Sequence, residues 1–160
     1  MVWCSTGCIS PANSLSGKLF DPARLCWMHL PRMTPNDCSV FSDKESLAVG
    51  TELLVLRKDV FANVIYQYNL LTNTWSTEMQ MSAPQCLFGK ESPGEIAIFS
   101  GGCDSQGKIL SSAELYNSET STWRTLQSLN KPHKMCYEEF MDGKFYVIGG
   151  IGRTNSKLLI

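Results

Sequence analysis

This 160-residue sequence has no excess of charge of one sign, because its 14 lysines and arginines nearly balance its 15 acidic residues. The resulting net charge of −1 offers no electrostatic attraction to nucleic acid or to an acidic membrane surface, so neither partner is expected. No apolar run approaches the roughly 20 residues that a membrane-spanning helix needs. Met1–Gly17 lack the basic start and the continuous apolar stretch of a signal peptide.

Paired metal-ligand cysteines are also missing, although the chain has seven cysteines. The count is odd, no C-x-x-C pair occurs, and Cys4 and Cys8 form a close pair without a second pair at zinc-ligand spacing. No N-x-[ST] glycosylation acceptor is present. This pattern indicates a reducing intracellular compartment, cytoplasmic or nuclear. Cys38, Cys86 and Cys136, each shortly after a proline, are expected to act as small apolar side chains on a core-facing strand.

Tryptophan recurs in this sequence at a fixed interval. Trp27, Trp75 and Trp123 are 48 residues apart (75 − 27 and 123 − 75). An aromatic residue stands seven positions before each tryptophan, at Phe20, Tyr68 and Tyr116. A turn-forming acid or amide follows each aromatic residue, at Asp21, Asn69 and Asn117. Such self-similarity at one period is the signature of a repeat protein.

A diglycine repeats with the same period. Gly101-Gly102 and Gly149-Gly150 each end a short apolar run, and Gly101 and Gly149 are again 48 residues apart (149 − 101). A glycine pair at a strand end permits positive φ and a close backbone approach that any Cβ would obstruct. In the preceding unit Arg57-Lys58 stand where the glycines should be, so that unit is degenerate.

Each unit divides into four short strands. The first is expected at Met135–Met141 and the second at Lys144–Ile148, joined through Asp142-Gly143, a type I′ hairpin signal. The third is expected at Ser112–Tyr116, and the fourth begins at Trp123. Four strands in a repeat of about 45–50 residues are typical of a β-propeller blade. We therefore expect an all-β fold, an incomplete propeller arc of about three four-stranded blades, rather than a β-sandwich with coincidental tryptophan spacing.

The motif resembles the kelch repeat, in which an apolar strand runs into Gly-Gly and is followed by Tyr-(Asp/Asn)-x-x-(Thr)-x-x-Trp. At closer range the chain resembles the kelch region of plant F-box/kelch-repeat proteins, in the segments Phe20–Met33, Ser42–Val55, Gly101–Trp123 and Met141–Gly152. The resemblance covers residues 18–160 and leaves residues 1–17 unassigned. Within it we expect the end of one blade at 18–34, a degenerate repeat at 35–82, a full repeat at 83–130 and the start of a further repeat at 131–160.

The resemblance implies a protein-interaction module like the substrate-recognition propeller of an SCF-type E3 ubiquitin ligase. In that family an F-box docks the adaptor and the propeller holds a protein target. The sequence shows no F-box before the repeats, so we expect a truncated receptor, with an adaptor as partner only for a longer form. Two alternatives stay open: a fragment of a propeller-fold enzyme, and a non-functional truncated copy.

Catalytic groups are scarce. His29 and His133 are the two histidines, and neither has a carboxylate or cysteine partner at a recognisable spacing. Two histidines do not supply the ligands of a copper oxidase of the same fold class. Neither diglycine continues into a phosphate-binding helix. We therefore expect no catalytic residue, no metal and no cofactor.

Binding is the expected function, and it is expected at loops. Loops after the second strand and between blades share one face of a propeller, and exposed loops often carry function. The candidate partner-binding residues in these loops are Arg32, Asn36, Asp104, Gln106, Lys108, Lys131, His133, Arg153 and Asn155. The repeat-defining structural residues are Phe20, Trp27, Tyr68, Trp75, Gly101, Gly102, Tyr116, Trp123, Gly149 and Gly150.

Overall fold

The computed structural model describes residues 18–21, 24–31, 44–58, 63–79 and 86–153, and in these ranges the chain forms twelve β-strands and no helix. The strands are short, between three and seven residues each. Their bounds are β1 Lys18–Asp21, β2 Cys26–His29, β3 Lys44–Val49, β4 Glu52–Lys58, β5 Asn63–Asn69, β6 Thr74–Met79, β7 Gly89–Glu91, β8 Ile96–Ser100, β9 Ala113–Asn117, β10 Thr122–Thr125, β11 Tyr137–Met141 and β12 Lys144–Ile148.

The strands form antiparallel meanders that correspond to propeller blades. Blade B has the order β3-β4-β5-β6 and blade C the order β7-β8-β9-β10. Blade A consists of β1 and β2, which match the third and fourth strands of a blade. Blade D consists of β11 and β12, which match the first and second. The expected all-β, partial-propeller architecture is confirmed.

The strand bounds agree with the sequence pattern to within two residues. The second strand of blade D, Lys144–Ile148, is as predicted, and β9 and β10 are displaced by one residue. The first strand of blade D begins at Tyr137 instead of Met135. Met135 has a φ of 54°, in the left-handed region, and therefore cannot continue the extended ladder. The hairpin at Asp142-Gly143 has φ values of 50° and 71°, as a type I′ turn requires.

The hydrophobic core lies between blades. One cluster joins blade B to blade C, and its fully buried members include Leu54, Ile65, Phe99 and Tyr116. A second cluster joins blade A to blade B through Leu30, Leu53 and Tyr68. Blades A, B and C therefore bury apolar side chains against their neighbours, which is how repeat units acquire a core.

Candidate interaction surface

The aromatic residue and the tryptophan of each repeat are direct cross-strand partners. Phe20 pairs with Trp27, Tyr68 with Trp75 and Tyr116 with Trp123. Their ring centroids lie 5.2, 5.1 and 5.2 Å apart. These distances are in the range at which tilted aromatic pairs attract one another. The 48-residue period therefore reproduces one packing arrangement in three blades.

The turn that joins the two aromatic strands is also repeated. Leu25, Asn73 and Ser121 all adopt positive φ, between 50° and 56°, two residues before their tryptophans. The Asn69 side-chain oxygen accepts bonds from the backbone N–H groups of Leu71 and Thr72, at 2.9 and 3.1 Å. Asn117 accepts a bond from the Thr120 N–H at 3.1 Å in the same way. The predicted role of the amide after each tyrosine is confirmed in these two blades.

Tyr116 links two blades through a buried carboxylate. Its hydroxyl donates to Glu52 Oε2 of blade B at 2.7 Å, and both side chains are buried. Burial, together with this bond, raises the pKa of Tyr116, so that the hydroxyl stays protonated and keeps donating. Tyr68, the equivalent residue of blade B, instead donates to Asn73 at 2.7 Å within its own turn.

This difference predicts unequal costs for the same substitution. Tyr116→Phe leaves the buried Glu52 carboxylate without its donor and should lower the free energy of unfolding by about 2 kcal/mol. Tyr68→Phe removes a bond inside one exposed turn and should cost about 1 kcal/mol or less. Urea unfolding of the two variants measures both values. Equal costs would contradict the assignment of the Tyr116 bond as a link between blades.

Both diglycines adopt the positive φ that the sequence predicts. The values are 67° and 90° at Gly101 and Gly102, and 65° and 95° at Gly149 and Gly150. A Cβ on Gly101 would lie 2.4 Å from the carbonyl oxygen of His133. The diglycine of blade C thus leaves room for the backbone that leads to blade D, whereas a residue with a Cβ would clash with it.

His133 joins three segments at this end of the blades. Its carbonyl accepts the Gly102 N–H at 2.6 Å, and its own N–H donates to the Leu110 carbonyl at 3.1 Å. Its ring Nδ1 lies 3.0 Å from the Gly149 carbonyl. We call the surface formed by residues 86–88, 103–112, 126–136 and 149–153 the loop edge. The half-buried imidazole thus has a structural position within the predicted binding region.

Asp104 organises the loop that follows the blade C diglycine. Its carboxylate accepts the backbone N–H groups of Gln106 and Lys108, each at 2.9 Å. The Gly107 N–H donates to the Asp104 carbonyl at 3.0 Å. Gln106 and Lys108 consequently point out of an ordered turn, and both are exposed.

Two exposed apolar side chains lie on the loop edge, and the sequence pattern did not identify them. Leu87 is 42% exposed and Met135 is 60% exposed. They occupy equivalent positions 48 residues apart (135 − 87), both with left-handed φ, and the Met135 N–H donates to the Leu87 carbonyl at 2.8 Å. A bulky residue rarely adopts this conformation. Their strained backbone marks a candidate site, because such strain concentrates at functional positions.

The exposed charged side chains in the loop edge are all cationic within the described residues: Lys108, Lys131 and Arg153. The opposite edge, formed by the hairpin turns, exposes Glu95, Glu119 and Asp142 together with Arg24 and Lys144. Among the described residues, the exposed charges of the loop edge are therefore of one sign, whereas those of the opposite edge are mixed. The candidates Arg32, Asn36 and Asn155 lie outside the described residues.

Glu138 is a buried carboxylate that sequence reasoning missed. It lies on β11 and is 3% exposed; Oε1 accepts a hydrogen bond from Ser100 of blade C, and Oε2 is buried without a hydrogen-bond partner among the described residues. Its side chain fills the space beside Gly89, where a Cβ would collide with it. Burial is the main cause that raises the pKa of Glu138 to about 8. Gly89 within a strand was the available signal, because glycine there marks a close approach.

Within the described ranges, no three histidine, cysteine, aspartate or glutamate side chains are grouped so that they could hold a metal ion. The described part of the chain also contains no helix long and apolar enough to cross a membrane.

The repeated blades, the diglycines and the paired aromatic residues define a kelch-type propeller segment. The kelch motif family matches residues 100–130, which span the Gly-Gly and Tyr-Trp elements of blade C. The chain is 64% identical to the F-box/kelch-repeat protein SKIP11 of Arabidopsis thaliana over 139 residues, 86% of this chain and 30% of that protein. Two further F-box/kelch-repeat proteins of the same plant are 58% and 61% identical over 91% and 83% of this chain.

The resemblance to plant F-box/kelch-repeat proteins that the motifs indicated is thereby confirmed. The chain spans about a third of the length of these relatives, 30% to 32% in the three comparisons. The kelch motif match lies in blade C, whereas the similarity to these relatives extends over 83% to 91% of the chain.

Proposed function

We propose that this chain is the target-binding part of an F-box/kelch substrate receptor and that the loop edge holds the target protein. The observation that carries this proposal is the exposed pair Leu87 and Met135, held together in left-handed conformations. Exposed apolar side chains within a polar rim are typical of the energetic centre of an interface. No catalysis is assigned to the chain itself.

The charge of the loop edge specifies the kind of target. Lys108, Lys131 and Arg153 are exposed on the same loop edge as the apolar pair, while the Asp104 carboxylate is occupied by the backbone of its own turn. A complementary segment would present one or two apolar anchors flanked by acidic residues. Opposite charges of this kind accelerate association and select against basic partners.

The proposed connection to ubiquitin transfer is supported by the relatives, whose names include an F-box. In a longer form of the protein, an F-box would dock the adaptor of an SCF-type ligase, and the propeller would present the target. A location in the cytoplasm or nucleus is part of this proposal. The same loop edge would serve as a binding surface whether or not an adaptor is attached.

Target binding is expected to depend on Leu87 and Met135 of the loop edge and not on Leu71 of the opposite edge. A target identified by affinity purification with the longer protein should bind the double variant Leu87→Ser/Met135→Ser at least about tenfold more weakly, because the apolar anchor contacts are lost. Leu71→Ser is the matched control, since Leu71 is 79% exposed in a turn on the opposite edge. The affinity of that control for the target, measured by isothermal titration calorimetry, should equal that of the wild-type protein.

Added salt should also weaken the wild-type complex, because rim charges contribute to its association. Equal affinity of the wild-type and double-variant proteins, or a loss of affinity in Leu71→Ser alone, would place the target elsewhere and overturn the proposal.

A further inference from the structure

Two cysteines face each other at the base of the loop edge. Cys86, just before β7, and Cys103, just after the blade C diglycine, form an isolated antiparallel bridge. Each backbone N–H donates to the other residue's carbonyl, at 2.9 and 2.8 Å. The two Sγ atoms are 3.4 Å apart. Both are thiols, with no disulfide between them.

The backbone geometry of this pair suits a disulfide. Residues that exchange both hydrogen bonds in an antiparallel pair have Cα atoms about 5.5 Å apart. Disulfides span Cα separations of roughly 4.4–6.8 Å, with a mode near 5.5–6 Å. The sulfur atoms need to approach by little more than 1 Å to reach the disulfide length of about 2.05 Å, and side-chain rotation can supply this movement.

The bridge position is general, but its cysteines are specific to blade C. In blade D the equivalent bridge joins Lys134 to Ile151, each 48 residues further along the chain (134 − 86 and 151 − 103). The fold therefore needs this backbone contact in both blades but does not need sulfur on either side of it. Packing alone therefore does not explain why both residues of this bridge are cysteines in blade C.

We infer that Cys86 and Cys103 are a reversible redox site, at which a hydroperoxide such as hydrogen peroxide forms a disulfide across the bridge. Cys86 reacts first, because its side chain is partly exposed whereas Cys103 is 6% exposed. The Cys86 thiolate attacks one peroxide oxygen, the O–O bond breaks, and the other oxygen leaves as water after protonation. Cys86 is then a sulfenic acid.

The second step uses Cys103. Its sulfur attacks the Cys86 sulfur, the S–O bond breaks, and the hydroxyl leaves with the Cys103 proton as a second water. Two thiols and one hydrogen peroxide thus give one disulfide and two waters, and the two electrons lost by sulfur reduce the peroxide. A dithiol reductant reverses the change by thiol–disulfide exchange.

The disulfide would act on the loop edge. Cys103 also bridges Ile109 across the loop that carries Gln106 and Lys108. Cys86 directly precedes Leu87, one of the two exposed apolar residues of the edge. Oxidation would covalently tie the base of that loop to the segment that enters β7.

Peptide mapping of the full chain tests the site without any substitution. The protein is treated with hydrogen peroxide, alkylated and digested with trypsin, which cuts after Lys90 and so separates Cys86 from Cys103. The linked peptide 59–90 to 91–108 should appear, lack two hydrogen atoms in mass, and disappear with dithiothreitol. It should exceed every other pairing of either cysteine by at least about tenfold, because the two thiols are already in position.

Three variants complete the test. Cys86→Ala should abolish the linked peptide, whereas Cys136→Ser should retain it. Burial raises the pKa of Cys136, which makes it a matched cysteine of low reactivity. The inference is overturned if peroxide links Cys86 or Cys103 mainly to other cysteines, or drives both to sulfonic acid without forming the linked peptide. Cys26→Ser, in which an exposed thiol is removed, should leave the result unchanged.

Discussion

Replacing Gly101 by alanine is expected to destabilise the chain by about 3 kcal/mol or more. The residue has a φ of 67°, where a side chain costs about 1–2 kcal/mol. The new Cβ would also lie 2.4 Å from the His133 carbonyl oxygen, so the backbone of the next blade must move. Overpacking of this kind typically costs about 1–3 kcal/mol. Because that carbonyl also accepts the Gly102 N–H, the contact between blades C and D weakens with it.

Gly107→Ala is the matched control for this prediction. Gly107 has a similar φ of 81°, but a Cβ there would meet no atom within 4 Å. The control therefore carries the conformational cost alone, about 1–2 kcal/mol. Urea denaturation of both variants measures the difference. Equal destabilisation would mean that the diglycine serves only local turn geometry and not the approach of the neighbouring blade.

Raising the pH from about 5 to about 8 is expected to destabilise the chain through Glu138. Its pKa rises from 4.5 in the exposed state to about 8 in the fold, chiefly because burial penalises the charged carboxylate. The bond from Ser100 opposes the rise, and the neighbouring Glu91 carboxylate adds to it. Between these two pKa values the folded chain binds a proton that the unfolded chain has lost.

Stability from this group is therefore fully present below pH 4.5 and is lost as the pH rises through the folded pKa near 8. The free energy of unfolding should fall by at most about 1.4 kcal/mol per pH unit within that window. Glu138→Gln cannot titrate, so its stability should depend less on pH over the same range. Urea denaturation of both proteins at intervals across the window isolates this contribution. If the free energy of unfolding changed with pH equally in wild type and variant, Glu138 would not be the source of the pH dependence.

Much of the fold was predictable because the same aromatic pair and the same turn residues recur in successive repeats. Trp75 and Trp123 face Tyr68 and Tyr116 as direct partners, and the amides after the tyrosines cap the turns. The Asp142-Gly143 turn follows from residue types that tolerate positive φ. These features are local, so a period in the sequence is enough to locate them.

The site was harder to predict because it depends on contacts between blades. Glu138 is buried by Ser100 and Gly89 of the preceding blade, and no local pattern distinguishes it from the adjacent Glu139. Leu87 and Met135 occupy left-handed positions that their residue types disfavour, so propensity gives no warning of them. The cationic residues of the loop edge were among the predicted binding residues, but that Asp104 serves its own turn became clear only from the geometry.

Nuclear Overhauser spectroscopy of the full chain with labelled aromatic residues tests most directly whether the 48-residue period builds equivalent stacked blades. Contacts are expected between the rings of Tyr68 and Trp75 and between those of Tyr116 and Trp123, at similar ring separations in both pairs. Contacts of the Tyr116 ring with Glu52 of the neighbouring blade are expected as well. No contact between the two rings of either pair, or no contact between Tyr116 and blade B, would contradict the assignment of equivalent stacked blades.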